Sequence, residues 1–493
     1  MSEAGTEGKE WFGQPRGLST LFFTELWERF SYYGMRGILV LFMTNAVVNG
    51  GMGLTDGTAA AIYGLYTAGV YFAALPGGWI ADRLIGQRQA VFIGGVIIAA
   101  GHFSMAVPTT TMFFAGMGLI IIGTGLLKPN VSAIVGDLYP EGGASRDAGF
   151  SIFYMGINIG AFAGPLICGF LGEQVDWHLG FSAAGIGMIL GLIQYSFGRK
   201  HLRGAGELRA DYKGSADHSR SWKVLGYGIA VVVALVLGAV VLQNSGTVKM
   251  TLQGVAQSAG GVILLVAVVY FGYVLLFGGL DSGQKKRVGA IAVFFLASAL
   301  FWSGFEQAGS SMNLFADRLT DRSIGGWEAP ASWLQSVNAL FIILLAPVFG
   351  TLWLWLGARN PSIPTKFALG LMQLGAGFLV LAWGASFTED GSLVSPMWLI
   401  VTYFLHTTGE LCVSPVGLST VTKLSPKRFV GQMMGIWFLA TALGNLIAGL
   451  VAGGIEHLPL PQLFGSVASI TIGGGVILLI LTKPVQKLIG GKI

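Results

Sequence analysis

The chain has 493 residues, of which 53% are hydrophobic and only 11% are charged. Because a soluble domain is about 25% charged, this composition excludes an ordinary soluble protein and indicates a polytopic helical membrane protein. The apolar runs are continuous rather than alternating, which disfavours a transmembrane β-barrel, and the net charge of +5 is better explained by loop topology than by nucleic acid.

The N-terminal segment 1–17 is polar and mixed in charge, and it lacks the basic region and cleavage site of a signal peptide. We therefore predict a short cytoplasmic tail that leads directly into the first span. Cys168 and Cys412 lie far apart in apolar runs, which indicates neither a disulfide framework nor a metal site.

Apolar runs of about 20 residues, the length that crosses a bilayer, predict fourteen membrane spans. Their approximate bounds are 18–46, 58–81, 89–108, 111–136, 148–172, 179–198, 223–243, 253–277, 288–316, 330–356, 364–386, 395–421, 429–454 and 463–483. With the N-terminus inside, 23 of the 29 Lys and Arg residues fall in inside segments, 3 in outside loops and 3 within spans. This bias predicts a cytoplasmic location for both termini.

The first span contains four charges in the stretch "TELWERFSYYGMRGILVLFM". Each charge costs about 2.5–3.5 kcal/mol at the bilayer centre on insertion scales. Helical geometry puts them on one face together with two tyrosines, within an arc of roughly 140°. An internal ion pair explains part of this stripe but not its last arginine or the tyrosines. The residues of the stripe are Glu25, Glu28, Arg29, Tyr32, Tyr33 and Arg36.

The loop "GGWIADRLIGQRQ" (77–89) lies at a predicted cytoplasmic boundary. Its glycines allow close packing, and pairs such as Asp82 with Arg83 can latch neighbouring helices, so we predict a conformational gate or hinge. The polar residues Tyr66 and Asn158 lie inside spans. A helix–helix hydrogen bond is the commoner role for such a residue, with ligand contact as the alternative.

The segment 199–222 is the one long polar linker, and it separates six spans from eight. We predict a six-helix bundle at 18–198, an inserted transmembrane hairpin at 223–286, and a second six-helix bundle with a C-terminal tail at 287–493. The two spans of the hairpin contain almost no ionisable residue. We therefore predict that they face lipid or brace the bundle and do not bind substrate.

Single charges recur inside later spans, where an ionisable residue usually faces water or a partner and marks an ion or substrate path. Lys128 lies in the first half, and Glu306 and Glu410 lie in the second. Intramembrane acids therefore number four and bases three, which one added proton would balance. Asn338 adds a polar group. No Walker A loop, complete G-x-G-x-x-G or H-E-x-x-H motif is present in the sequence, which disfavours a primary ATP-driven pump.

These motifs resemble those of the proton-dependent oligopeptide transporters of the major facilitator superfamily. "ELWERFSYYG" is similar to the E-x-x-E-R-F-x-Y-Y motif of that family, and "FYMGINIGAF" to its second signature. "GGWIADRLIGQRQ" resembles the superfamily's loop between helices 2 and 3. The resemblance covers essentially the whole chain, including the hairpin that is common in bacterial members.

The resemblance implies an all-α membrane fold with two six-helix bundles and a proton-coupled importer of di- and tripeptides that works by alternating access. It implies that Arg29 and Lys128 attract the peptide carboxylate and that Glu410 binds the amino group. The implied remaining roles are hydrogen bonding by Asn158 and Asn338, side-chain pockets shaped by Tyr32, Tyr33, Tyr66 and Trp437, proton linkage at Glu25 and Glu28, and a bridge between the halves from Arg36 to Glu306.

One position departs from the pattern. Some relatives have a histidine in helix 2, where this chain has Gly64, so carboxylates must perform the proton step. The sequence predicts no enzyme activity, no metal and no cofactor other than the coupling proton. We expect the protein to lie in the inner membrane of a bacterium. An anion carrier related to nitrate transporters, a drug exporter of the same superfamily and a receptor or scaffold without transport remain alternatives.

Overall fold

We describe the protein from a computed structural model. It describes residues 10–141, 143–208 and 210–490, with the side chain of Ala144 left out. Residues 1–9 of the predicted tail and the last three residues of the chain therefore lie outside the described part.

Helices make up nearly all of the regular structure, as the continuous apolar runs predict. They are α1 Gly17–Thr44, α2 Asp56–Ile80, α3 Gln87–Met105, α4 Thr110–Asp137, α5 Gly143–Gln174, α6 Trp177–Gly198, α7 Ala216–Asn244, α8 Leu252–Phe277, α9 Ser282–Phe305, α10 Ser311–Leu319, α11 Ser336–Leu356, α12 Ile363–Ser386, α13 Met397–Leu424, α14 Val430–Ala452, α15 Leu460–Ile480 and α16 Thr482–Ile489. The described residues also form a two-stranded antiparallel hairpin, β1 Ser323–Ile324 and β2 Trp327–Glu328.

The helices confirm that each of the fourteen predicted spans is helical. Twelve helical segments in the described residues are long and apolar enough to cross a membrane. The remaining two spans are α1 and α13, each 28 residues long. They are less apolar because α1 contains the four-charge stripe and α13 contains the polar run from His406 to Glu410.

The predicted span at 288–316 corresponds to one candidate span, Ser282–Leu319, but the helix within it is interrupted. α9 ends at Phe305, a 3-10 helix covers Glu306–Gly309, and α10 begins at Ser311. Ser310, with φ −128° and ψ −100°, lies outside the helical region. The break therefore begins at the buried glutamate that the sequence singled out.

Two further boundaries differ from the prediction. The predicted loop at 77–89 is largely helical, since α2 runs to Ile80 and continues as a π-helix over Ala81–Ile85 before α3 begins. α7 begins at Ala216, inside the predicted linker, because the Ser215 side chain caps it by accepting a hydrogen bond from the His218 backbone N–H at 3.2 Å. An N-cap serine is a strong start signal for a helix.

Contacts along the backbone divide the chain into two compact units. The first unit contains residues up to Ser31 together with Ala73–Gly160 and Ala184–Val255. Its core is a cluster of buried side chains from α1, α3, α4, α5 and α6, among them Leu18, Leu127 and Met188.

The second unit contains Tyr32–Phe72, Ala161–Ala183 and the chain from Ala256 onward. Aromatic rings form much of its core: the Phe294 ring centroid lies 4.9 Å from that of Phe367, and the Phe464 centroid lies 6.0 Å from that of Phe315. Both units draw on separated parts of the sequence, and the predicted division at the 199–222 linker stays a prediction.

The helices of the predicted hairpin differ in their packing. α7 has no buried residue. α8 buries one face at helical spacing, and the Phe271 ring lies 6.0 Å from the Phe295 ring of α9. An apolar helix that buries none of its residues is suited to lipid, which is consistent with the passive role that the sequence predicts.

Glycines bring α2 and α4 into close contact in the first unit. A Cβ atom at Gly77 would lie 2.0 Å from the Gly125 carbonyl oxygen, whereas a Cβ at the next residue, Gly78, would have Pro129 Cβ as its nearest neighbour at 4.0 Å. Small residues of this kind allow membrane helices to pack backbone against backbone.

We expect Gly77→Ala to lower the melting temperature of the detergent-solubilised protein by several degrees. The added methyl group must push two helix backbones apart, and overpacking of this kind typically costs about 1–3 kcal/mol. Gly78→Ala is the matched control and should be neutral or slightly stabilising, because alanine favours a helix by roughly 1 kcal/mol over glycine. Equal melting temperatures for the two variants would contradict this account of the contact.

Candidate functional site

The first unit contains the N-terminal part of the charged stripe on α1. Arg29 Nε lies 3.2 Å from Glu25 Oε1 and also donates a hydrogen bond to the Glu28 carboxylate, and all three side chains are buried. The i, i+4 spacing brings the arginine and the first glutamate together on one face. The internal ion pair considered for this stripe is therefore present, with two acids on one base.

Lys128 and Asn158 also belong to the first unit. The charge of Lys128 on α4 acts on Glu25. Asn158 is buried on α5, and its amide donates a hydrogen bond to the Tyr154 carbonyl oxygen at 2.8 Å. The structure thus relates Lys128 to the acidic cluster, while the predicted contact of Asn158 with a ligand stays a prediction.

The turn between α2 and α3 does not contain the predicted Asp–Arg latch among the described residues. Asp82 is exposed and accepts a hydrogen bond from Gln87 Nε2 at 3.2 Å. The exposed Arg83 lies over the Tyr212 ring, 5.9 Å from its centroid. A gating role for Asp82 and Arg83 stays a prediction.

The polar linker packs against this turn through Arg88. Its backbone N–H donates to the Gly206 carbonyl at 2.9 Å, its Nε donates to the Ala205 carbonyl at 2.7 Å, and its guanidinium pairs with the Glu207 carboxylate. Gly86, with φ +81°, has no space for a side chain, because a Cβ there would lie 2.8 Å from the Leu208 nitrogen. The linker is therefore fixed to the turn over these residues.

A buried ion pair forms in the second unit between Arg36 of α1 and Glu306 after α9. Arg36 Nη2 lies 3.0 Å from Glu306 Oε2, and both side chains are almost fully buried. This is the pairing that the family resemblance implies for these residues.

Tyr63 of α2 belongs to the same cluster, and the sequence reasoning missed it. Its hydroxyl accepts a hydrogen bond from Arg36 Nε at 2.6 Å and lies 3.5 Å from Glu306 Oε2. Gly309 leaves room for this ring, since a Cβ there would lie 2.3 Å from the Tyr63 hydroxyl oxygen. The sequence offered only a weak signal for Tyr63, namely its position three residues before Tyr66 in an otherwise apolar run.

The three predicted pocket tyrosines form one aromatic group in the second unit. The Tyr32 ring is stacked on the Tyr66 ring at 6.4 Å and meets the Tyr33 ring edge-on at 5.3 Å. Arg36 lies over the Tyr33 ring at 5.5 Å. The tyrosines thus join α1 to α2 and adjoin the Arg36 guanidinium.

Glu410 of α13 is buried beside polar groups of the second unit. Asn338 of α11 donates to Thr407 Oγ1 at 2.9 Å and reaches Glu410 Oε2 at 3.4 Å. The charges of Glu306 and Arg36 both act on Glu410. The structure therefore places Asn338 beside Glu410, within electrostatic range of the Arg36–Glu306 pair, while the predicted contacts of Asn338 and Glu410 with a ligand stay predictions.

Trp437 of α14 is buried against Phe367 of α12, with ring centroids 6.2 Å apart. Gly417 of α13 provides the space, because a Cβ there would lie 2.3 Å from the indole ring. Gly64, which stands in place of the histidine of some relatives, is similarly enclosed: a Cβ there would lie 3.0 Å from Gly449 Cα. A histidine would not fit at this position without movement of α14.

A second buried carboxylate that the sequence reasoning missed is Glu173, at the end of α5. It accepts hydrogen bonds from the backbone N–H groups of Ala331 and Ser332, at 2.6 and 3.1 Å, and from the Ser332 hydroxyl. Glu173 was overlooked because it follows directly on the predicted span 148–172.

Arg318 of α10 makes two hydrogen bonds to Asp56 at the start of α2, at 2.7 and 2.8 Å.

The model of the POT family matches residues 88–463, which is most of the chain. The protein belongs to the POT family. Its solved relatives have the major facilitator superfamily fold, which confirms the predicted fold class.

The curated relatives of this POT family member match over nearly their whole length. The chain is 42% identical to an uncharacterised transporter of Bacillus subtilis, YclF, over 98% of this chain and 96% of the relative. It is 40% identical to the peptide transporter YePEPT of Yersinia enterocolitica, with the same coverage. It is 39% identical to a di-/tripeptide transporter of Lactococcus lactis, over 99% of both chains.

Solved POT family structures are also similar. The crystal structure of a peptide transporter POT in complex with sulfate superimposes with a TM-score of 0.90 at 42% identity, covering 98% of both chains. A POT family transporter in complex with 5-aminolevulinic acid gives a TM-score of 0.89 at 35% identity, covering 97% of this chain and 98% of that one.

We expect Arg36→Ala and Glu306→Ala each to lower the melting temperature markedly, because each leaves an uncompensated buried charge, a change that costs about 3–5 kcal/mol. The double variant should lose less than the sum of the two, since no lone charge remains. The measurement is a double-mutant cycle on thermal unfolding in detergent.

Glu207→Ala is the control for this cycle, because it removes an acid that pairs with Arg88 at the surface, where its side chain is 60% exposed. Surface pairs contribute about 0–1 kcal/mol, so its melting temperature should change little. Additive losses at Arg36 and Glu306 would show that the two side chains do not depend on each other.

Proposed function

We propose that this protein is a proton-coupled symporter that imports di- and tripeptides by alternating access. It acts in the cytoplasmic membrane of a bacterium, with both termini on the cytoplasmic side. The POT family supports transport rather than catalysis, and the bias of Lys and Arg supports the orientation.

The observation that carries the proposal is the buried Arg36–Glu306 pair in a POT family chain. Bringing both charges out of water is costly, and their attraction offsets that cost only while both remain charged and close. A proton on Glu306 removes one charge and weakens the pair. Protonation can therefore shift the balance between two conformations, which is what a coupled transporter requires.

The substrate class follows from the chemistry of the charged side chains. A peptide is a zwitterion, so its recognition needs a fixed positive group, a fixed negative group and adaptable walls between them. We assign attraction of the carboxylate to Arg29 and Lys128 and binding of the amino group to Glu410. Asn158 and Asn338 supply hydrogen bonds, and the side-chain pockets are shaped by Tyr32, Tyr33, Tyr66 and Trp437.

Relatives support a substrate with both an amino and a carboxyl group. Similar chains are named di-/tripeptide transporters. POT family structures have been solved with 5-aminolevulinic acid and with a thioalcohol-conjugated peptide. The proton serves as the coupling ion, with Glu25 and Glu28 in the proton-linked cluster, and the proposed cycle uses no other cofactor.

We expect purified protein in liposomes to accumulate labelled dialanine when the outside is acidic, and a protonophore to abolish the accumulation. The inward proton gradient is the proposed source of energy. The measurement is radiolabel uptake with empty liposomes as the background.

Uptake that requires ATP and resists the protonophore would contradict proton coupling. Accumulation of nitrate or of drug-like cations in place of dialanine would favour the alternative carriers. Absence of transport with a correctly folded protein would favour a receptor or scaffold.

We expect Glu410→Gln to weaken the binding of peptides with a free amino terminus more than that of N-acetylated peptides. Glutamine keeps the size of the side chain but loses the charge, and a charge-assisted hydrogen bond contributes about 1–3 kcal/mol. Competition against labelled dialanine measures the difference. Glu389→Gln, at an exposed loop position, is the control, and equal weakening of both peptide types by Glu410→Gln would exclude the assigned role.

A further inference from the structure

The first unit contains a cluster of basic residues to which the proposed transport function assigns no role. Arg16 before α1 and Lys200, His201 and Arg203 after α6 line a cavity of about 860 Å³. The charges of Arg16, Lys200 and Arg203 all act on His201, so the four side chains are close together. We call these four residues the basic cluster.

The described acidic residues of the cavity neutralise the basic cluster only in part. Glu10 and Asp137 also line the cavity, which leaves an excess of positive charge even with His201 neutral. In the part of the chain that the structure describes, neither arginine nor Lys200 of the cluster forms an ion pair. A cavity with unpaired cations is suited to an anion.

The cluster lies at the end of a lipid-facing stripe on α6. Ile193 is 48% exposed and Phe197 is 76% exposed, and their spacing of four residues puts them on one side of α6. Lys200 follows three residues after Phe197, in the 3-10 helix Arg199–Leu202 that continues from α6. Exposed apolar side chains on a membrane helix face hydrocarbon. The change from phenylalanine to lysine therefore marks the boundary between hydrocarbon and headgroups.

An aromatic turn flanks the same cavity. Trp11 and Gln14 exchange two backbone hydrogen bonds, at 2.9 and 3.1 Å, which closes a tight turn over Phe12 and Gly13. Trp11 packs on Phe22 of α1, with ring centroids 5.2 Å apart. Phe12 is 79% exposed, and an aromatic ring held outward beside basic residues is typical of a membrane interface.

The backbone of the cavity is unusual at two points. Phe12 and Arg203, with φ +52° and +48°, are the two non-glycine residues in the left-handed region among those the structure describes. This conformation is unfavourable for side chains of their size. Both residues flank one cavity, where the turn exposes a ring and the end of α6 presents a guanidinium.

We infer that the basic cluster binds the phosphate of an anionic phospholipid, of the phosphatidylglycerol class, in the leaflet on the side of the chain termini. Arginine and lysine donate charge-assisted hydrogen bonds to the phosphodiester oxygens, and basic pockets at the ends of membrane helices recognise anionic headgroups in this way. The Phe197 stripe and Phe12 meet the acyl chains, which favours a lipid over a free anion.

The test compares two triple variants of almost equal charge. Arg16→Gln/Lys200→Gln/Arg203→Gln removes the cluster, and Lys285→Gln/Lys286→Gln/Arg287→Gln removes three exposed cations at the start of α9. Native mass spectrometry counts bound phosphatidylglycerol and phosphatidylcholine with identical acyl chains. We expect the cluster variant to lose on the order of tenfold or more in phosphatidylglycerol affinity, and the α9 variant to retain it.

Equal losses in both variants, or no loss in either, would overturn the inference. Displacement of the lipid by glycerophosphoglycerol, which lacks acyl chains, at concentrations near those of the lipid would identify a site for a free anion and also overturn it. Lys200→Gln alone, a change at an exposed side chain, provides the same comparison if the triple variant is not monodisperse, and it should weaken phosphatidylglycerol several-fold without affecting phosphatidylcholine.

Discussion

A guanidinium inside a membrane protein stays charged, so the structure around Arg36 must supply a permanent counter-charge. Glu306 supplies it, and the surrounding chain is arranged accordingly. The long apolar segment breaks into α9 and α10 at the glutamate, and Gly309 leaves room for Tyr63, whose hydroxyl accepts from the arginine. Asn313 of α10 further ties this segment to the Gly37 carbonyl at 2.8 Å. The second unit is thus organised around one ion pair.

The positive charges of Arg29 and Arg36 on α1 are compensated in different ways. Arg29 pairs with two acids of its own helix, Glu25 and Glu28. Arg36 takes Glu306 from a segment about 270 residues away in the chain. A local cluster keeps its pairing when helices move, whereas a long-range pair reports their arrangement. On the proposed function, this difference is consistent with a gating role for the Arg36–Glu306 pair.

The sequence predicted the helices and the charged stripe on α1 because both follow from local properties, whereas the pairing of Arg36 with Glu306 came from the family resemblance. Apolar runs locate spans, and the stripe on α1 follows from helical spacing. The break at Glu306, the π-helix after Ile80 and the role of Tyr63 were not predictable in this way. The run around Glu306 remains apolar on both sides, and its break depends on contacts with α1 and α2. The partners of Glu173, Ala331 and Ser332, were likewise not predictable, because they lie far along the chain from it.

The charge balance of the first unit offers a physical basis for the proposed symport. Glu25 and Glu28 share Arg29, which leaves one excess negative charge, and the charge of Lys128 acts on Glu25. On the proposed function, a peptide carboxylate bound by Lys128 would offset the positive charge that the acids now experience. The acidic pair would then bind a proton more readily. Because such linkage is reciprocal, a bound proton would strengthen the hold of Lys128 on the carboxylate, and the two would be transported together.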